Sequence, residues 1–312
     1  AVAKHYKDFS AEQAKYLQSA SAESDKQFWV AALQSPLPKL EFPTDYTRSA
    51  IMSNKGGIIK HEYNRELISR LEQFARASNA TVFNVLMAAV YTLLHRYTQK
   101  DDIIIGFPVS GRDSMEFENV SGFFVNTVPL RVQLNSSMKF SELLTKLNGE
   151  TGRALSHSRY PFDLLVEEIG VERSAAANPV FDVMFSYYDL PESKLNFHGL
   201  TANIEENEFA QTKFDLNFNF EMQNGDMSAY ITFNSELYKH SRIEAAIRHL
   251  NNILLNVLAN SELELRNIDI MDKTEKEDLL SALTNNDTQV LHEKSFVEVF
   301  SENAKKFPDK PA

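Results

Sequence analysis

Apolar residues recur along the chain in patterns that predict both helices and strands. Leu67, Ile68 and Leu71 fall at helical spacing, and TVFNVLMAAVYTLLHRY is apolar nearly all round, which predicts a central helix. IIIGFPV is a short continuous apolar run with β-branched residues, typical of a strand that is covered on both faces. Two alternating runs, FDLNFNF and AYITF, flank QNGD, which is a strong hairpin signal.

Further helices and strands complete the predicted architecture. Residues 10–33 lack Gly and Pro and open with a possible capping box, Ser10 and Gln13, so we expect one helix there. Helices are also expected over about 139–157 and 241–258, and KGGIIKHEYN predicts a strand. Pro129 lies in the strand-like run GFFVNTVPLRVQL and indicates an edge or a bulge. The mixed order of elements predicts an α/β fold, a two-layer sandwich.

Shifts in composition divide the chain into three segments. SPLPKLEFPTDYTRS holds three of the ten prolines and predicts a connection along a surface. From Thr274, a short helix, the polar TNNDT and a helix opened by Ser295 and Glu298 predict a linker and the start of another domain. We therefore expect three segments, residues 1–45, residues 46–272 and residues 273–312.

Composition excludes several classes of function. The net charge of −11 opposes binding to a phosphate backbone, and the lack of cysteine excludes thiolate sites. None of the eight histidines forms an i, i+4 pair, so we expect no metal site. No run of about 20 apolar residues and no signal peptide is present, which predicts a soluble, cytoplasmic protein without a membrane partner. The first residue is not Met, so we expect an excised piece.

Four local clusters occur in the order YKDF (residues 6–9), GFFVNT with Arg131, HSRYPFD (residues 157–163), and Arg173 followed by NPVFDVMF. They resemble the YKDF, GxFVNT…R, HQDYPFE and RDxSRNPLFxVMF elements of condensation domains of non-ribosomal peptide synthetases. Ser158 and Arg159 replace the Gln and Asp of the third element. HRYTQKDDIIIGFPVSGRD resembles another run of that family, and LHEKSFVEVFSENAKKFPDKPA resembles the entry to an adenylation domain.

This resemblance implies the carboxyl-terminal lobe of a chloramphenicol-acetyltransferase-like domain, preceded by a final helix of an amino-terminal lobe. The implied reaction joins a donor acyl thioester to an acceptor aminoacyl thioester, each on the 4'-phosphopantetheine arm of a carrier protein. The chain itself would bind no cofactor. Its implied partners are both carrier proteins, the amino-terminal lobe and the adenylation domain. The family's catalytic motif, HHxxxDG, does not occur in these 312 residues, so we expect the chain alone to be inactive.

The resemblance also implies roles for individual residues. Asn126, Thr127 and Ser186 would line the substrate tunnel, although paired sheet residues are an equally ordinary reading of such positions. Arg112 follows an apolar strand and would hold the aspartate of HHxxxDG, unless it is a plain surface arginine. The remaining motif-supporting residues are Tyr160, Pro161, Phe162, Asn178 and Pro179.

For His157, capping of a helix end is the simpler interpretation. For Arg131, the simpler interpretation is a structural role. Two other functions stay open at this point. The lobe could be a non-catalytic platform for carrier proteins and the adenylation domain, or a relative that transfers other acyl groups. The tail that resembles an adenylation domain speaks against the last of these.

Overall fold

The computed structural model describes residues 4–112, 114–172, 174–190, 211–284 and 295–308. Parts of the expectations above fall outside these ranges, namely those that depend on Arg173, most of TNNDT and the terminal DKPA. The strands are β1 (Gly56–Tyr63), β2 (Asp102–Val109), β3 (Asn126–Gln133), β4 (Val183–Leu190), β5 (Leu216–Gln223) and β6 (Asp226–Asn234). The helices are α1 (Tyr6–Leu17), α2 (Ala20–Ala32), α3 (Arg65–Ala77), α4 (Val82–Thr98), α5 (Phe140–Ser156), α6 (Phe162–Glu168), α7 (His240–Ala259), α8 (Lys273–Thr284) and α9 (Phe296–Lys306).

The strands form one open mixed sheet in the order β1-β6-β5-β4-β2-β3. β4 pairs in parallel with β5 and with β2, whereas the other neighbours are antiparallel. Within the described ranges, β2 and β4 register at a single residue pair, Gly106 and Met184. Pro129 of β3 lies opposite Gly106 of β2. β3 is an edge strand, as its proline predicted.

Alternation along the strands gives the sheet two different faces. Phe185, Phe218 and Ile231 are buried on the face against which the helices pack. The ring of Phe83 on α4 contacts Phe185 edge-on, with the ring centroids 5.2 Å apart. α4 is buried over most of its length, which confirms the central helix. A layer of helices on one face of a mixed sheet confirms the predicted two-layer α/β sandwich.

The β5–β6 hairpin turns at Asn224 and Gly225, both at positive φ (54° and 80°). This is the conformation that the NG pair of a two-residue hairpin favours, so QNGD is confirmed as a turn. β2 is buried over Ile103–Phe107, which confirms a strand covered on both faces.

The single helix expected over 10–33 is wrong, because the chain forms α1 and α2 with a break between them. The hydroxyl of Ser19 accepts a hydrogen bond from the backbone N–H of Ala22 and so starts a new helix. Ser10 lies inside α1 rather than at its start. The first turn of α1 is closed instead by the backbone N–H of His5, which donates to the carboxylate of Asp8 at 2.8 Å.

Residues Ala1–Ile270 form one compact unit and Met271–Ala312 a second. In the second unit, α9 begins with the capping box predicted from Ser295 and Glu298. Both of its helices expose large apolar side chains, among them Leu283 and Phe296. None of the described helices is by itself long and apolar enough to cross a membrane. The bent pair α3 and α4, which turns by 102°, meets that test only when the two are taken together.

Candidate functional site

A cleft of about 350 Å³ opens between α1, the loop after β2, the start of β3 and the turn before α6. Its lining residues mix aromatic rings with a few charged and amide groups: Tyr6, Phe9, Glu12, Gln13, Gly111, Ser114, Phe117, Phe123, Phe124, Val125, Asn126, Thr127, Ser158, Arg159, Pro161, Phe162 and Asp163.

Aromatic contacts fasten α1 to the GFFVNT segment. The hydroxyl of Tyr6 donates to the carbonyl oxygen of Phe123 at 2.8 Å. The ring of Phe9 lies 4.6 Å from that of Phe124, centroid to centroid. Gly122 allows this approach, since a Cβ at its position would come within 2.2 Å of the Tyr6 ring. YKDF and GFFVNT, which are far apart in the sequence, therefore form neighbouring walls of the cleft.

Asn126 clamps the turn that forms the opposite wall. Its Nδ2 donates to the carbonyl oxygens of Ser158 and Tyr160 at 2.8 and 2.7 Å, and its Oδ1 accepts from the N–H of Phe162 at 3.0 Å. The amide is thus committed to the turn, while its residue and the neighbouring Thr127 both line the cleft.

Replacing Asn126 with Ala is expected to lower the free energy of unfolding by about 2 to 3 kcal/mol, because three hydrogen bonds of about 1 kcal/mol each are lost. Thr127→Val is the matched control, because Thr127 lines the same cleft and makes no side-chain hydrogen bond within the described part of the chain. Denaturant unfolding followed by Trp29 fluorescence measures both. Equal stability of the two variants would contradict the clamp.

The turn is also held from behind, by α1 and α2. Nδ1 of His157 lies 2.7 Å from a carboxylate oxygen of Asp25, whose other oxygen accepts from the hydroxyl of Tyr16 at 2.5 Å. The indole N–H of Trp29 donates to the carbonyl oxygen of His157 at 2.9 Å. Burial, then the hydrogen bond to Asp25, raises the pKa of Tyr16. His157 occupies the C-cap position of α5 through its backbone N–H, which donates to the carbonyl oxygens of Ala154 and Leu155, whereas its imidazole faces Asp25 and not the helix carbonyls.

The predicted residues of this turn have distinct positions. Tyr160 is 7% exposed and lies behind the cleft wall. Pro161 precedes the first residue of α6, and Phe162 contacts the ring of Phe181 with centroids 5.6 Å apart. Of these three, Pro161 and Phe162 line the cleft.

Arg112 supports another wall of the cleft. Its Nη1 donates to the carbonyl oxygens of Phe117 and Val120, the latter at 2.8 Å, and its guanidinium lies 4.0 Å from the centroid of the Phe124 ring. Gly111 beside it has φ +61°, and a Cβ there would lie 1.9 Å from the carbonyl oxygen of Phe124. The arginine therefore orders its own loop, whatever else it binds.

Asn178, Pro179 and Ser186 lie away from the cleft. Asn178 donates its backbone N–H to the Asp182 carboxylate at 3.1 Å and its side-chain amide to the carbonyl oxygen of Lys213 at 2.9 Å. Pro179 follows in the turn that leads to β4. Ser186 is 6% exposed on β4 and pairs in register with a residue of β5.

Two carboxylates and an arginine meet where β4 and β5 begin. Arg48 donates to both carboxylate oxygens of Asp215, with Nη1 3.0 Å from Oδ1. Burial, then the negative charge of Asp215, raises the pKa of Asp182 to about 6. Burial and the same charge also raise the pKa of Tyr238. Because Asp182 belongs to the NPVFDVMF segment, the cluster of Arg48, Asp182 and Asp215 supports that segment where it enters β4.

The aromatic and amide lining of the cleft can orient a ligand, and its acidic lining groups are Glu12 and Asp163. Within the described ranges, none of its lining residues is His, Lys or Cys. No group of three or more acidic or His side chains there is arranged to hold a metal ion. Glu12, Phe117 and Asp25 were not predicted from the sequence, and Gln13 was expected only as part of a capping box, since no spacing signal connects these residues to the other walls.

A family model described as "Condensation domain" matches residues 1–280. The chain is 35% identical over 309 residues to tyrocidine synthase 3 of Brevibacillus parabrevis, covering 98% of this chain and 5% of that protein. It is 31% identical over 305 residues to gramicidin S synthase 2 of Brevibacillus brevis, covering 97% of this chain and 7% of that protein. The chain therefore spans less than a tenth of the length of these two relatives.

Solved structures share the fold at lower identity. The X-domain from teicoplanin biosynthesis superposes with a TM-score of 0.78 at 21% identity, over 86% of this chain and 63% of that one. The first condensation domain of the CDA synthetase gives a TM-score of 0.72 at 19% identity, over 87% of this chain and 59% of that one. These similarities confirm the condensation-domain fold that the motifs predicted.

Proposed function

This chain belongs to the condensation domain family, and from that premise we propose that it forms the carboxyl-terminal lobe of a domain that makes peptide bonds. In that role it positions a donor acyl thioester and an acceptor aminoacyl thioester, each held on the phosphopantetheine arm of a carrier protein. The lobe supplies walls and orientation, and the catalytic histidine belongs to an HHxxxDG motif that these 312 residues do not contain.

The observation that carries this proposal is the meeting of three family elements at one cleft. YKDF, GFFVNT and the HSRYPFD turn come from three separate parts of the chain and supply most of the lining. Attack of an amine on a thioester requires positioning, removal of a proton and stabilisation of an oxyanion. The aromatic and amide lining of the cleft suits the first of these requirements.

The partners follow from the same role. We propose that donor and acceptor carrier proteins, an amino-terminal lobe and an adenylation domain work with this chain, in the cytoplasm. Residues 1–45 belong by origin to the amino-terminal lobe, 46–272 to the carboxyl-terminal lobe, and 273–312 to a linker and the start of the adenylation domain. We also propose that Arg112, beyond its contacts to Phe117 and Val120, meets the aspartate of HHxxxDG.

We expect the 312-residue chain to form no dipeptidyl carrier when mixed with loaded donor and acceptor carriers, because no histidine lines its cleft. Addition of an amino-terminal lobe as a separate polypeptide should restore the product, which mass spectrometry of the acceptor carrier detects. The matched control is the same lobe with the second His of HHxxxDG replaced by Ala.

Turnover by the chain alone would contradict the proposed division of labour. A complex that binds both carriers yet forms no product, even with the intact amino-terminal lobe, would instead identify the chain as a non-catalytic docking platform.

A further inference from the structure

Two asparagines lie side by side on the sheet face opposite to the packed helices. Along β5, Phe218 is buried against the helices, whereas Asn217 and Asn219 project to the other face. Strand register places Ser186 of β4 next to Asn219, and Thr232 of β6 next to Asn217. We call the side chains of Asn217 and Asn219 the asparagine pair.

The side-chain oxygens of the asparagine pair are buried and have no hydrogen-bond partner in the described structure. Nδ2 of Asn219 donates to a carboxylate oxygen of Glu221 at 2.9 Å, which fixes the orientation of that amide. Buried acceptors are nearly always paired, since an acceptor removed from water without a donor is costly. Two such oxygens on neighbouring positions of one face require an explanation.

Their geometry suits an extended chain that carries N–H groups. Residues i and i+2 of a strand are about 7 Å apart and lie on the same face, so the two asparagine side chains form a short row, each with an unpaired acceptor oxygen. Ser186, 6% exposed, continues this row onto β4. A ligand that completes the row must donate hydrogen bonds, and the proposed substrates offer such donors in the two amides of the phosphopantetheine arm and in the acceptor amine.

We propose that the asparagine pair accepts N–H hydrogen bonds from the chain that a carrier protein delivers. This inference rests on the proposed function and adds specific binding residues to it. It assigns them no part in bond making. Its signature is a trade between stability and binding: an apolar isostere relieves the unpaired oxygens and stabilises the fold, but it removes the site.

The test uses the ¹⁵N-labelled 312-residue chain and three probes: pantetheine, pantetheine with both amide nitrogens methylated, and the glycyl thioester of pantetheine. We expect pantetheine to shift the side-chain amide resonances of Asn217 and Asn219, and the methylated probe to bind at least tenfold more weakly. Shifts with the glycyl thioester but not with pantetheine would identify the amine as the donor. The proposal is overturned if neither pantetheine nor its glycyl thioester shifts these resonances. It is also overturned if the methylated probe binds as tightly as pantetheine.

Variants separate this site from a structural role. Asn217→Leu with Asn219→Leu is expected to lower pantetheine affinity at least tenfold while the melting temperature is maintained or rises. If the double variant fails to fold, the milder Asn217→Thr should still lower affinity. Thr232→Val is the control, since it removes a hydroxyl from the same face without touching an unpaired buried oxygen. Unchanged affinity in the asparagine variants, while the reassembled domain still forms product, would sink this inference and leave the proposed function intact.

Discussion

Replacing Asp215 with Ala is expected to lower the free energy of unfolding of the Ala1–Ile270 unit by about 3 kcal/mol. Asp215 is 3% exposed and binds the guanidinium of Arg48 through both oxygens. Removing it leaves a guanidinium whose side chain is 33% exposed without its carboxylate partner. This partial access to water places the loss at the lower end of the range for buried ion pairs.

Fluorescence of Trp29, which is the only tryptophan and is 3% exposed, reports unfolding of this unit directly. Asp226→Ala is the matched control, because Asp226 binds Arg65 in the same two-oxygen geometry on the surface. Exposed pairs contribute little, so the control should change the unfolding midpoint far less than Asp215→Ala. Equal losses in the two variants would show that burial does not determine the strength of the Arg48 pair.

Replacing Asp182 with Asn is expected to stabilise the protein at pH 7.5 by about 3 kcal/mol, from a pKa difference of about two units. Burial and the charge of Asp215 raise the pKa of the Asp182 carboxyl from 3.8 to about 6, against the opposing effects of Arg48 and of the N–H of Asn178. The folded chain therefore keeps the proton at a pH where the unfolded chain loses it. Stability from this group is complete below pH 3.8 and is lost as the pH rises through 6.

Thermal unfolding at pH 5 and pH 7.5 distinguishes this effect from ordinary packing. Asp182→Asn should raise the melting temperature at pH 7.5 by roughly 6 to 12 °C and by about half as much at pH 5, because pH 5 lies midway between the unfolded and folded pKa values. The variant keeps a side-chain oxygen that can accept from the N–H of Asn178, so the hydrogen bond survives. An equal shift at the two pH values would mean that the carboxyl does not titrate in this range.

Patterns that depend on local geometry were predictable from the sequence. The NG turn at Asn224, the nearly all-apolar helix α4 and the edge position of Pro129 each follow from dihedral preference or from burial of neighbouring residues. The end of α1 was missed because no Gly or Pro marks it. Ser19 was the available signal there, since a serine whose hydroxyl can cap the next turn is able to start a second helix.

Long-range partners were not predictable, because they depend on how the chain folds back on itself. Arg48 and Asp215 are 167 residues apart, and Asp25 and His157 are 132 apart. Neither pair has a local spacing signal. The motifs correctly identified segments that meet at the cleft. They could not show that the side-chain amide of Asn126 forms hydrogen bonds with the turn before α6.

The line between β2 and β4, which register at a single residue pair, is the narrowest connection in the hydrogen-bonded sheet: β1, β6, β5 and β4 form one group of strands beside it, and β2 and β3 form the other. Side chains bridge this line: the ring of Phe181 covers Gly106, where a Cβ would come within 2.1 Å of it, and Phe83 contacts both Phe107 and Phe185. Because so few main-chain bonds cross it, this line is where the sheet can shear, and the two groups of strands should exchange their amide protons as separate cooperative units.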